Sequence, residues 1–441
     1  MKFTGKALVF GLLALCVSAR ASSVLDEANA IGPWITELRR EFHQIPELMY
    51  EEVKTSALIR KTLDGLGINY THPIAITGVV AEIGQGSPVV ALRADFDALP
   101  LDELTEVDFK STHEGRMHAC GHDAHTSMLL GAARLLKAQE ASLQGTVRLL
   151  FQPAEEGGAG GRRMLKEGAL GDAGAIFGIH TTPGFGDHDL PLGHIGTNSA
   201  TLMAAAGSFD TIVHGRGGHA AAPHQTADPI VAAAALVQAL QPIVARKLDP
   251  ADAGVVSVTY VHAGHTNNVI PDQVTLGGTY RALTHSTFAW IKEQVRTVSE
   301  ASVAAYGCTV EIKFQDGDDI RLTANGQEWK DYPYPPTINQ PALTEFVRKV
   351  SEGIVGKEAQ HFNEKAVMGG EDFSFYAEAI PGCFIFLGHA SEGCTAPNHS
   401  PHFKVDEKVL PIGTALYTAF ARQWLDEAAA KGGTSIGKQE L

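Results

Sequence analysis

Apolar positions recur at helical spacing over residues 35–42 and 51–66, with Pro46 interrupting between them, which predicts two helices near the start of the chain. The pattern then changes. Val79-Val80-Ala81-Glu82-Ile83-Gly84 and Val89-Val90-Ala91-Leu92-Arg93-Ala94 are short, β-branched and apolar. They predict two strands of a hairpin, the second ending in Asp95-Phe96-Asp97. Residues 126–136 return to helical spacing. Thr146-Val147-Arg148-Leu149-Leu150-Phe151-Gln152 predicts a strand that ends in Pro153-Ala154-Glu155-Glu156, and residues 175–180 another that ends in His180. Strands therefore deliver polar residues at their C-terminal ends, where open α/β sheets place their sites.

The middle of the chain follows a different plan. Residues 208–214 predict a strand, 228–246 a helix with Pro229 in its first turn, and 255–261 and 274–282 two strands. Residues 287–306 predict a second helix and 309–314 a last strand. The order β-α-β-β-α-β is that of a split βαβ, ferredoxin-like module. Residues 316–336 are polar and rich in late prolines, which predicts a linker or irregular loop. Helix 343–354, strand 383–388 and helix 407–428 then resume the first pattern. The fold class expected is α/β: a large domain with a central mixed sheet flanked by helices, in two parts at 22–205 and 317–430, and an inserted ferredoxin-like α+β domain at 206–316. Residues 431–441 are expected to be a disordered tail.

Composition adds a compartment. The start, Met1-Lys2-Phe3-Thr4-Gly5-Lys6, is basic, residues 7–17 are apolar, and Ala19-Arg20-Ala21 fits a small-x-small cleavage site. This predicts a signal peptide over 1–21, cleavage after Ala21, and a periplasmic or secreted protein with no membrane association after cleavage. The formal charge of −15 argues against nucleic acid as a partner. In an oxidising compartment Cys383 and Cys394 could pair across a short loop.

Candidate chemistry concentrates in His118-Ala119-Cys120-Gly121-His122-Asp123-Ala124-His125-Thr126. Imidazole, thiolate and carboxylate in one window are the ligand types that bind divalent metals such as zinc. Further donors stand far away, at Glu155/Glu156, His180 and Asn398-His399-Ser400-Pro401-His402. Adjacent glutamates at a strand end point in different directions, so one can hold a metal while the other faces the substrate. Asp95 and Asp97 are candidates to orient the histidine ligands from behind.

Taken with His43-Gln44-Ile45-Pro46-Glu47-Leu48, Arg93–Pro100, Gly217–His224, Asn268-Val269-Ile270-Pro271-Asp272 and Met368–Phe373, these stretches resemble the M20 family of metallopeptidases and amidohydrolases. The resemblance is closest to its N-acyl-amino-acid hydrolases, which include hippurate hydrolases and auxin-conjugate hydrolases. It implies Cys120, His122, Glu156, His180 and His399 as metal ligands and Glu155 as the catalytic base. It implies that the inserted domain is a lid and dimerisation domain. It implies that His219 polarises the scissile carbonyl, often from a partner subunit, and that Asn268 and Arg281 hold the substrate carboxylate. Residues 317–334 depart from the family in being longer than its usual return from the lid.

The function expected is metal-dependent hydrolysis of the amide bond of N-acyl amino acids, releasing a carboxylic acid and a free amino acid. One or two divalent ions per subunit (Zn, Mn, Co or Ni) are expected, with an N-acyl amino acid or short peptide as substrate and a homodimer or higher homo-oligomer as the assembly. The rivals are a secreted metallo-carboxypeptidase or dipeptidase with the same machinery, and an inactive metal-containing binding protein.

Overall fold

A computed structural model describes residues 24–186, 188–315, 321–324, 327–330 and 332–432. The expected signal peptide and the end of the expected tail lie outside these residues. The chain divides into two compact units. The larger runs up to Leu202 and adds Ile338–Lys365 and the chain from Asp372 onward; the smaller is Met203–Thr337 with Ala366–Glu371.

The larger unit is built on helices α1 (Gly32–His43) and α2 (Val53–Leu66), strands β1 (Tyr70–Ile74), β2 (Gly78–Gly84) and β3 (Val89–Asp95), helix α3 (His122–Ala138), strand β4 (Thr146–Gln152), helix α4 (Gly160–Lys166), and strands β5 (Ala175–Thr182) and β6 (Ile195–Gly196). In the smaller unit follow β7 (Ala205–His214), α5 (Pro229–Leu240), β8 (Gly254–Ala263), β9 (Gln273–Ala282), α6 (His285–Ala304) and β10 (Thr309–Phe314). The larger unit then resumes with α7 (Pro341–Val355), β11 (Gln360–His361), β12 (Gly382–Gly388) and α8 (Val409–Ala430).

Eight strands of the larger unit form one mixed sheet in the order β1-β2-β4-β3-β5-β12-β6-β11. Strands β4, β3, β5 and β12 run parallel, and β2 runs antiparallel to β4. Every residue of β3, β5 and β12 is buried, as expected of parallel strands covered on both faces. The expected hairpin is corrected here: β2 and β3 are not partners, because β4 lies between them and pairs with both. Both strands carry apolar residues on both faces, the pattern of strands inside a sheet that is covered on both sides. Helix α3 is buried along almost its whole length. Gly131 lets it approach α8 closely, since a Cβ there would stand 3.0 Å from Thr414 Cγ2.

The smaller unit has a four-stranded antiparallel sheet in the order β8-β9-β7-β10. Numbered within the module this is 2-3-1-4, the arrangement that the β-α-β-β-α-β order generates. Leu236 of α5 and Ile291 and Val295 of α6 cluster with Val213, Leu276 and Tyr280 of the sheet. Both helices start on side-chain caps, Asp228 accepting from Ile230 N at 2.8 Å and Thr284 from Thr287 N at 3.1 Å. The unit is wider than the 206–316 read from sequence, because Tyr334 pairs with Ala206 and Val367 with Met203. The stretch expected to be irregular contains a hairpin of Arg321–Ala324 with Gln327–Lys330. Cys383 and Cys394 are both free thiols, so the possible disulfide is absent. No helix among the described residues is long and apolar enough to cross a membrane.

Candidate metal centre

The centre is assembled within the larger unit from side chains at the ends of strands and at the start of α3. Gly121 precedes that helix in the left-handed region at φ 91°, a conformation that glycine adopts without strain. This turn presents Cys120 before the helix and His122 as its first residue. His180 stands in β5. Glu155 and Glu156 follow β4 on a turn that begins at Ala154, itself left-handed at φ 57°. His399 comes from the loop after β12, with φ 67°, and is tied down by a hydrogen bond from its amide to Ala119 O at 2.7 Å.

The six side chains expected to bind metal or act as base come together. Ligand atoms of Cys120, His122 and His180 lie within 4.8 Å of one another, as do those of Cys120, Glu156 and His399, and those of His122, Glu155 and Glu156. Cys120 Sγ is 3.4 Å from His180 Nε2, and His399 Nε2 is 3.2 Å from Glu156 Oε1.

Surrounding groups aim the imidazoles. Asp97 Oδ1 takes His122 Nδ1 at 3.1 Å, and Thr181 O takes His180 Nδ1 at 2.8 Å. Each ring therefore keeps its proton on Nδ1 and turns an Nε2 lone pair inward, the usual way a carboxylate or carbonyl fixes a metal-binding histidine. His122 Nε2 is buried and makes no hydrogen bond. That orphaned donor atom, with a thiol and carboxylates around it, fits a divalent cation of the borderline class.

Electrostatics agree. Hydrogen bonds with Cys120 and then Glu156 hold His399 up to about 10. Burial pulls His122 down, but the charges of Asp95 and Cys120 outweigh it and leave the group well above its usual value. Burial, followed by the charge of Glu156, pushes the Cys120 thiol up. Burial, followed by the charge of His125, instead holds His180 well below its usual value, which keeps that imidazole neutral, while the raised His122 and His399 report the negative charge beside them. A divalent cation neutralises such charge and reverses the thiol's preference, since coordinating thiols are deprotonated.

His125 is not placed as a ligand. Its Nδ1 is 2.6 Å from Asp95 Oδ1, and its Nε2 accepts the Thr181 amide at 2.8 Å. It ties the ends of β3 and β5 together. Asp95 in turn is held by Arg93 at 2.7 Å, and Arg93 reaches Asp372 at 2.8 Å and Gln152 at 2.9 Å. Behind α3, Asp123 pairs with Arg39 at 2.8 Å and His43 at 2.7 Å, anchoring the residue next to His122. In the sequence Asp123 reads as one more donor of the 118–126 window, and nothing local marks Arg39 or His43 as its partners, His43 lying 80 residues away along the chain.

The three residues expected to touch the substrate lie in the smaller unit. His219 and Asn268 are neighbours on a short ribbon, with His219 paired to Val269 and the Ala220 amide bonded to Asn268 O at 3.0 Å. The Ala221 amide donates to His219 Nδ1 at 3.0 Å, which leaves Nε2–H as a donor. Arg281 is near the far end of β9 and donates to Met368 O at 2.9 Å. The strand between Asp272 and Arg281 spans about 30 Å at ~3.3 Å per residue. Within one chain, Arg281 and Asn268 therefore stand toward opposite ends of β9.

Comparison with known proteins places the chain in a family. The sequence pattern of peptidase family M20/M25/M40 matches residues 91–423. The IAA-amino acid hydrolase ILR1-like 2 of Arabidopsis thaliana is 46% identical over 411 residues, covering 92% of this chain and 89% of that protein. The N-acetylcysteine deacetylase of Bacillus subtilis is 38% identical over 390 residues, covering 88% and 96%. A Bacillus subtilis crystal structure described as a dinuclear metal-binding peptidase of the M20 family superposes with a TM-score of 0.75 at 35% identity, covering 90% of this chain and 99% of that one. The chain belongs to peptidase family M20/M25/M40 and is a metal-dependent hydrolase of amide bonds.

Proposed function

We propose that this enzyme hydrolyses the amide bond of N-acyl amino acids with Glu155 as its proton-transfer base. The observation that carries the reading is the convergence of Glu155 with His122 and Glu156, all ligand atoms within 4.8 Å. Cys120, His122, Glu156, His180 and His399 would hold two divalent ions, drawn from Zn, Mn, Co and Ni. Two sets of donors that share Cys120 support two ions rather than one. A bound divalent ion of this kind lowers the pKa of water and polarises a carbonyl.

Glu155 accepts a proton from the attacking water as its oxygen bonds to the acyl carbon. The same carboxyl group then gives that proton to the amine nitrogen as the C–N bond breaks. A carboxylic acid and a free amino acid leave. His219 stabilises the developing oxyanion through its Nε2–H, the kind of electrostatic help that is usually the largest catalytic contribution. Arg281 pairs with the substrate carboxylate, for which its planar fork is suited. The separation of Asn268 and His219 from Arg281 along one chain supports a homodimer or higher homo-oligomer, in which His219 of the partner subunit completes a site. The basic start, apolar run and Ala19-Arg20-Ala21 support export to the periplasm or medium, which the mass of the mature N-terminus checks.

The test is Glu155→Gln. It should keep full metal content and lose about 10²–10⁴-fold in kcat on N-acetyl- and N-benzoyl-amino acids. An active variant overturns the role of Glu155. Dipeptides as better substrates than N-acyl amino acids would make the enzyme a carboxypeptidase or dipeptidase instead.

A further inference from the structure

One fully buried carboxylate near the centre has no part in the chemistry above. Glu52 is inaccessible to solvent and stands just before α2. Its Oε1 accepts two backbone amides, Tyr50 N at 2.9 Å and Ala154 N at 3.0 Å. Its Oε2 shares a hydrogen bond with Thr77 Oγ1 at 2.6 Å. Both amides belong to non-glycine residues in the left-handed region, Tyr50 at φ 62° and Ala154 at φ 57°. Such residues persist where surrounding contacts over-determine them, and they cluster at functional sites.

Ala154 is the residue before Glu155. The amide on the other side, that of Glu156, is taken by Asp97 Oδ2 at 3.0 Å. Glu155 thus hangs between two amides, each fastened to a buried carboxylate. Tyr50 closes the arrangement, because its hydroxyl donates to Gly158 O at 2.6 Å, further along the same turn. The turn has little room to settle elsewhere: a Cβ at Gly158 would meet Tyr50 Cε2 and Ala154 Cβ at 2.7 Å.

Resting on the reading of Glu155 as the base, we propose that Glu52, backed by Tyr50, is a positioning residue for Glu155. It locks Ala154 in its left-handed conformation and so sets the direction in which the base projects. The work is done by hydrogen-bond acceptance, not by charge. Burial, followed by the charge of Asp97, raises the Glu52 carboxyl to about 8, so the neutral acid is the prevailing form at neutral pH. Glutamine reproduces that form: its oxygen accepts both amides and its NH2 donates to Thr77.

Three variants test this in the metal-loaded enzyme beside Glu155→Gln. Glu52→Met keeps the length and removes both acceptors; kcat should fall about 100-fold, the scale of an ångström of misplacement, with KM and metal content unchanged. Glu52→Gln should recover most of that loss. Tyr50→Phe should lower kcat roughly tenfold, again with KM and metal content unchanged. A folded, metal-loaded Glu52→Met with wild-type kcat overturns the proposal, as does a glutamine variant as slow as the methionine one. If the methionine variant does not fold, Tyr50→Phe decides, and unchanged kcat there overturns it. An active Glu155→Gln sinks the base assignment itself; an inactive Glu155→Gln beside an active Glu52→Met sinks only the positioning role.

Discussion

Asp97 ties two elements of the metal centre with one side chain, and Asp97→Asn separates what each tie does. In the wild type, Oδ1 takes His122 Nδ1–H at 3.1 Å and Oδ2 takes the Glu156 amide at 3.0 Å. An asparagine can accept from only one of them. Its NH2 then faces a second donor, and a buried donor without a partner costs about 1–3 kcal/mol. That cost appears as lower stability of the metal-free protein in urea. A second effect follows if the amide oxygen turns to Glu156. His122 then relieves the clash by moving its proton to Nε2, the atom aimed into the centre. Metal affinity should drop by about 10–100-fold, the usual effect of losing a carboxylate behind a ligating histidine. At about 1.4 kcal/mol per decade this is about 1.4–2.8 kcal/mol. Competition with a chromophoric chelator measures the affinity, and urea titration of the metal-free protein measures the stability. A purely structural Asp97 would lower stability and leave affinity alone. An asparagine variant with wild-type affinity refutes the reasoning that Asp97 fixes the His122 tautomer.

Two further outcomes are expected. Arg93→Met leaves Asp95 and Asp372, both fully buried, without their shared cation; urea unfolding should show about 3–5 kcal/mol lost, and an unchanged midpoint would show that the cluster is not electrostatically balanced by Arg93. His118 and His389 are buried, and burial holds both down to about 4 against a usual 6.5. The unfolded chain then takes up protons that the folded chain refuses, so their contribution is intact above pH 6.5 and is lost as pH falls toward 4. Each accounts for about 2 kcal/mol between pH 7 and pH 5. His389→Leu should flatten the pH dependence of stability in that window, and an unchanged slope would contradict it.

The candidate donors for metal were legible because their mixture is chemically unusual. A cysteine, three histidines and a pair of glutamates have few structural uses in common. The small unit was legible because its alternation of strands and helices leaves one compact arrangement. Strand partnership was not. Residues 79–84 and 89–94 are close in sequence, yet β4 separates them, and only their two-sided burial distinguishes an interior strand from a hairpin. Glu52 was illegible for a related reason. At a helix start an acidic residue reads as dipole compensation. Its partners Thr77 and Ala154 lie 25 and 102 residues away, so nothing local marks it as buried.

The position of β12 in the sheet bears on how the enzyme is made. This strand lies between β5 and β6, yet its residues, 382–388, follow the whole of the small unit in the chain. During synthesis from the N-terminus the small unit is therefore complete while the sheet of the large one still lacks an interior strand. His399 emerges later still. Any shorter stretch from the N-terminus lacks one of the side chains that converge on the centre. The larger unit thus completes both its sheet and its donor cluster from the stretch of chain that follows the small unit.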